Sequence, residues 1–150
     1  MSFSARLTKI MLAAGLTATL AAIPTTSSAA QAETAATAAS LFSAYTTNGA
    51  AYGNVSYTYW STGDGYYGIE VTSPYAVDIR PNDEYGAVLR MHYDSRSGTG
   101  QVRSLVKVLP EEYGTGSSFS GTGYRNVWFD VCNWHWLSEA VYSCARLTRS

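Results

Sequence analysis

Few side chains in this sequence are of the types that do chemistry, and their spacing decides most of what they could do. Two histidines, His92 and His135, and two cysteines, Cys132 and Cys144, stand among 11 acidic residues. The adjacent acids Glu111-Glu112 and Asp83-Glu84 offer the carboxylates that glycoside hydrolysis needs. Neighbouring strand residues point to opposite sides, however, and both pairs adjoin prolines, so they read as solvated loop charge. A serine triad needs a nucleophile turn, and the segment GSSFSG at 116–121 lacks the G-x-S-x-G spacing. His92 shares a strand side with Arg90 and reads as a surface or satisfied histidine. Asp64 and Asp83 lack the spacing of a calcium loop, and two histidines with two cysteines assemble no standard zinc site. Asn54-Val55-Ser56 matches a glycosylation sequon. No catalytic residue, cofactor or metal is therefore predicted. A hydrolase or hydrolase inhibitor would have to use Glu111, Glu112 or His135.

The chain opens with the pattern of an export signal. Arg6 and Lys9 precede an apolar run from Ile10 to Ile23, Pro24 ends it, and Ala30-Gln31-Ala32 forms a cleavage site. The run is shorter than the roughly 20 residues that span a bilayer. Residues 1–32 are expected to be removed and the remainder secreted. Two cysteines twelve residues apart in a secreted chain predict a disulfide, whose loop closure stabilises by about 3 kcal/mol.

That bond implies a register. Opposed residues of an antiparallel pair have numbers with a constant sum, so Cys132 facing Cys144 sets Asp130 against Arg146 and Trp134 against Tyr142. Phe129 then faces Leu147 and Val131 faces Ala145. Val127, Phe129, Val131, Val141, Ala145 and Leu147 form the apolar side, expected in the core. Trp128, Asp130, Cys132, Trp134, Tyr142 and Arg146 form the mixed side, and Trp136 sits at the tip. Exposed contiguous aromatics mark contact surfaces. Flat rings suit the apolar faces of sugars, Asp130, Asn133 and Arg146 could hydrogen-bond the hydroxyls, and Asp130 and Arg146 would fix a ligand's orientation. Trp128, Asp130, Trp134, Trp136, Tyr142 and Arg146 are the candidate binding residues, provided that the Gly/Ser-rich loop at 110–123 does not cover them.

The elements that would position these residues are strands. Alternating and β-branched or aromatic segments run from Val55 to Trp60, Tyr66 to Thr72, Tyr75 to Arg80, Gly86 to Tyr93, Gln101 to Leu109, Arg125 to Trp134 and Ala140 to Thr148. Turn signals such as Ser61-Thr62-Gly63-Asp64-Gly65 separate them. About seven short strands predict an all-β fold, a single antiparallel β-sandwich or small barrel over 51–150. Residues 33–50, small and polar, are expected to be a flexible leader. Without its signal the chain carries 8 basic and 11 acidic residues, net −3. That balance gives no footprint for nucleic acid.

From Tyr75 to Cys144 the chain reads YAVDIRPNDEYGAVLRMHY, a loop, a strand, then YRNVWFDVCNWHWLSEAVYSC. This stretch resembles small secreted β-rich proteins of actinobacteria such as Streptomyces, which end in a hairpin holding two cysteines. The turn Asp83-Glu84-Tyr85-Gly86 is looser than the compact Asp-Gly form of that group. The resemblance implies fold and export, and no activity. The expected function is that of a secreted, non-enzymatic binding or surface-associated domain. Its partner would be a glycan, a cell-wall polymer or an extracellular protein. The alternatives are a small hydrolase or hydrolase inhibitor, and a self-assembling envelope protein.

Overall fold

A computed structural model describes residues 38–150, and the expected export signal lies outside them. Nine strands follow in order: β1 Ser40–Tyr45, β2 Ala51–Ser61, β3 Tyr67–Asp78, β4 Tyr85–Ser95, β5 Gly98–Val108, β6 Tyr113–Thr115, β7 Phe119–His135, β8 Val141–Arg146 and β9 Thr148–Arg149. There is no helix among the described residues, and hence none long and apolar enough to cross a membrane. The all-β expectation holds. The strands make one antiparallel sheet, ordered β5-β4-β7-β3-β2-β1-β9, with β6 added to β3 and β8 to β7.

The two longest strands each change partner along their length, and this folds the sheet. Strand β7 pairs with β3 through Phe119–Tyr124 and with β8 from Asp130 onward, while β4 runs along its other edge. Strand β3 pairs with β7 up to Val71 and with β6 from Tyr75. The change falls at Ser73-Pro74, where Ser73 has φ 48° and proline brings no amide hydrogen. The two arms then meet face to face. Phe129 of β7 touches the rings of Phe42 and Tyr57 at centroid distances of 6.4 and 5.4 Å, although neither β1 nor β2 pairs with it. Val131 and Leu89 lie so close to Gly53 that a Cβ there would sit 3.1 and 3.2 Å from them. Val55, Ile69, Val71, Leu89, Met91, Phe129, Val131 and Leu147 fill the space between.

Three expectations change. Ser40–Tyr45 of the expected leader is strand β1, because alternate residues Phe42 and Ala44 pack on the core and β2 supplies a full register. The separate strands expected at 66–72 and 75–80 are one strand with a kink. The expected loop at 110–123 is mostly ordered as β6 and the start of β7, both laid on β3. That segment does not cover the hairpin.

Candidate functional site

The cysteines are bonded as expected, and the hairpin between them carries the informative geometry. The register Asp130↔Arg146 and Val131↔Ala145 is the one inferred from the sequence. Beyond it a bulge intervenes, and the pairs become Asn133↔Tyr142 and Trp134↔Val141. Ser143, at φ 50°, absorbs the extra residue. A one-residue slip exchanges the two sides of a strand. Tyr142 therefore stands opposite Asn133 and not opposite Trp134. Val141 is displaced from the expected core to an exposed position, and Ala145 is half-buried.

The expected binding residues are thus divided. Trp134 is buried, only 7 % exposed, against Val88 and Cys132. Its Nε1–H donates to Glu139 Oε2 at 3.3 Å, and Lys107, paired with Glu139, lies 4.7 Å over its ring. Asp130 is buried as well. Arg90 grips it through Nε at 2.9 Å and Nη2 at 2.5 Å, and His92 Nε2 lies 3.1 Å from its Oδ2. Arg146 opposes Asp130 in the backbone register, yet its guanidinium sits 5.2 Å over the Trp128 ring. The expected ion pair does not form, because Arg90 on β4 faces Asp130 directly and meets it with two donors. His92 stacks flat on Trp128, centroids 3.7 Å apart and planes within 7°. Trp128, Asp130 and Trp134 are accordingly engaged by the protein itself.

Exposed aromatic surface is left at the tip. Trp136 is 45 % and Tyr142 48 % exposed, beside Leu137 and Val141. Tyr142 meets the Tyr85 ring edge-on at 5.7 Å. Here a cavity of about 360 Å³ opens, bounded by Asn48, Arg80, Asp83, Tyr85, Asn133 and Tyr142. Asn133 is buried, and its Oδ1 has no hydrogen-bond partner among the described residues. Of the cavity's residues, sequence reasoning had named Tyr142 as a binding ring and Asn133 as a hydrogen-bond partner for sugar hydroxyls. The others come from three separate turns and strands, and no local spacing announces them.

The acidic residues serve the backbone. Glu111 Oε1 accepts from the Asn82 amide at 2.9 Å, and Glu112 Oε2 from the Leu109 amide at 3.3 Å. Burial pushes the Asp78 carboxyl above the usual range, although the Glu111 and Arg80 amides both donate to it. His135 is the one histidine with a nucleophile beside it. Its Nδ1 receives the Ser138 hydroxyl at 3.0 Å and the Ser138 amide at 3.2 Å, while Nε2 lies 3.4 Å from Glu84. The carboxylate of Asp130 and the sulfurs of Cys132 and Cys144 lie within 4.8 Å of one another, but both sulfurs are spent in the disulfide.

No protein-family model, curated protein or solved structure matches this chain.

Proposed function

We propose that the protein is a secreted, non-enzymatic binding module that contacts glycan or cell-wall polymer through the tip of its terminal hairpin. The supporting observation is the pair of exposed rings, Trp136 and Tyr142, held at one end of a disulfide-pinned hairpin. Large rings cost little conformational entropy when they dock, and their apolar faces match the CH faces of pyranoses. The disulfide is compatible with an extracellular setting, where such bonds persist, and the export signal expected at residues 1–32 and the actinobacterial resemblance belong to the same reading. The test is retention of the purified protein on insoluble chitin, cellulose and bacterial cell wall. Retention is expected for the native protein and for Trp128→Ala, and loss for Trp136→Ala with Tyr142→Ala. Equal retention of all forms, or of none, would remove the tip as the contact surface.

A hydrolase is the second reading, and the Ser138–His135–Glu84 chain favours it. Its order, hydroxyl to imidazole to carboxylate, is that of an activated serine. The same contacts also close a tight turn, since the Ser138 amide shares Nδ1. Covalent labelling by a fluorophosphonate probe that Ser138→Ala abolishes would establish the hydrolase. The binding-module reading expects no labelling.

A further inference from the structure

The cavity beside Tyr142 has the composition of a ligand site and not of a packing fault. A packing fault in a β-protein is dry and apolar, whereas this cavity is walled by two asparagines, a serine, an aspartate, an arginine and two tyrosines. Its most telling member is Asn133. This side chain is 3 % exposed, yet its Oδ1 has no partner among the described residues. Buried amides nearly always have their hydrogen bonds made within the fold, and each exception calls for a reason. A half-turn of the carboxamide exchanges its oxygen and nitrogen, so Asn133 can offer an incoming group either an acceptor or a donor.

The rest of the wall is already braced. Arg80 Nη2 donates to the Asn48 carbonyl at 3.1 Å, and Asp83 Oδ1 accepts from the Tyr85 amide at 2.9 Å. Both charged groups are thereby positioned before any ligand arrives, which lowers the entropic cost of binding. Asp83 keeps Oδ2 as an acceptor. Arg80 and Asp83 balance in charge, so the cavity has no bias toward anions or cations. At about 360 Å³ it lies at the small end of ligand sites, with room for about one or two hexose rings. A neutral polyol with one apolar face meets all of these conditions together.

We infer that this cavity binds one uncharged sugar residue, free or at the end of a chain, with Asn133 and Asp83 on its hydroxyls and Tyr142 against its CH face. The inference rests on the glycan reading above and narrows it from polymer surfaces to chain ends and short soluble sugars. The experiment is an NMR titration of the full protein with glucose, N-acetylglucosamine and their β-1,4 dimers. At least one is expected to shift the Asn133 carboxamide and Tyr142 ring signals saturably, and to displace the protein from polymer. Tyr142→Ala should weaken that binding at least about tenfold, the cost of one lost buried contact. Asn133→Leu should abolish it without lowering Tm, since it removes an amide with an unpaired oxygen. A structural asparagine would instead lower Tm on replacement. Should Asn133→Leu fail to fold, Asp83→Asn carries the same test, because its amide oxygen can still accept from Tyr85. No saturable shift with any sugar, or shifts that survive in the variants, would overturn the assignment. Polymer retention without a soluble-sugar effect would overturn the cavity alone; failure of both would remove the glycan reading with it.

Discussion

Trp134 and Trp136 are two residues apart, and their surroundings give them opposite roles. Trp134 fills a pocket between Val88 and the disulfide, with its indole nitrogen on Glu139. Trp136 lies in the turn and is 45 % exposed. Truncating a buried tryptophan removes its transfer energy and leaves a cavity. Trp134→Ala is therefore expected to cost about 3 kcal/mol, and Trp136→Ala less than about 0.5 kcal/mol, the usual range for a surface site. Urea denaturation followed by circular dichroism measures both. Similar losses for the two variants would contradict the burial of Trp134 and the exposure of Trp136. The aromatic content of this segment was plain in the sequence. Which rings were free was not, because Glu139 and Lys107, which cover Trp134, come from the turn and from another strand.

Within the β7–β8 hairpin, disulfide and bulge act together. The bond joins Cys132 to Cys144 next to Ser143, whose positive φ lets the strand take in one extra residue. Replacing both cysteines by serine is expected to lower stability by about 3 kcal/mol, as loop-closure entropy returns to the unfolded chain. Chemical denaturation of the double variant against the oxidised protein tests this. A loss under about 1 kcal/mol would mean that β4 alone holds the hairpin in place. The pairing of the cysteines and the first half of the register could be read from the chain, since opposed numbers keep a constant sum. The bulge could not. It depends on Ser143 adopting a left-handed conformation that its residue type does not announce, and it carries Tyr142 away from Trp134 and beside Asn133 and Tyr85.

Across the whole molecule, carboxylates in and beside the turns fasten elements that are distant in sequence. Asp64 in the β2–β3 turn holds Arg96 in the β4–β5 turn, and Glu139 in the hairpin tip holds Lys107 of β5. Asp94 receives the Gly100 amide and the Asn126 side chain, joining that same turn to β7. All three carboxyls titrate below the usual range. The Thr62 hydroxyl and then Arg96 bring Asp64 down to about 2, the Gly100 amide acts first on Asp94, and Lys107 first on Glu139. A lowered folded pKa means that the contribution is complete above the unfolded value and is lost as pH falls through the folded one. Asp78 runs the other way, its contribution being lost as pH rises through its raised value. The turns at the Asp64 end are thus expected to stay clamped down to about pH 2 and to release below it. Carbon-13 titration of the Asp64 carboxyl checks this; a midpoint at the ordinary aspartate value of 3.8 would mean that no clamp forms.

Strand class, the cysteine pair, most strand positions and the sides of β4 and β7 were legible along the chain, because these depend on period-two alternation and on turn residues close in sequence. Val88, Arg90 and His92 do share one side, and they meet Cys132, Asp130 and Trp128 across the ladder. It took long-range packing to make Ser40–Tyr45 a strand, since its stability comes from Phe42 meeting Phe129 and Tyr57 and not from local composition. The same long-range packing sets which aromatic rings reach solvent, and brings Asn133, Asp83 and Tyr142 to one cavity. Those outcomes depend on contacts between segments tens of residues apart, and on a single bulge, neither of which leaves a periodic trace in the sequence.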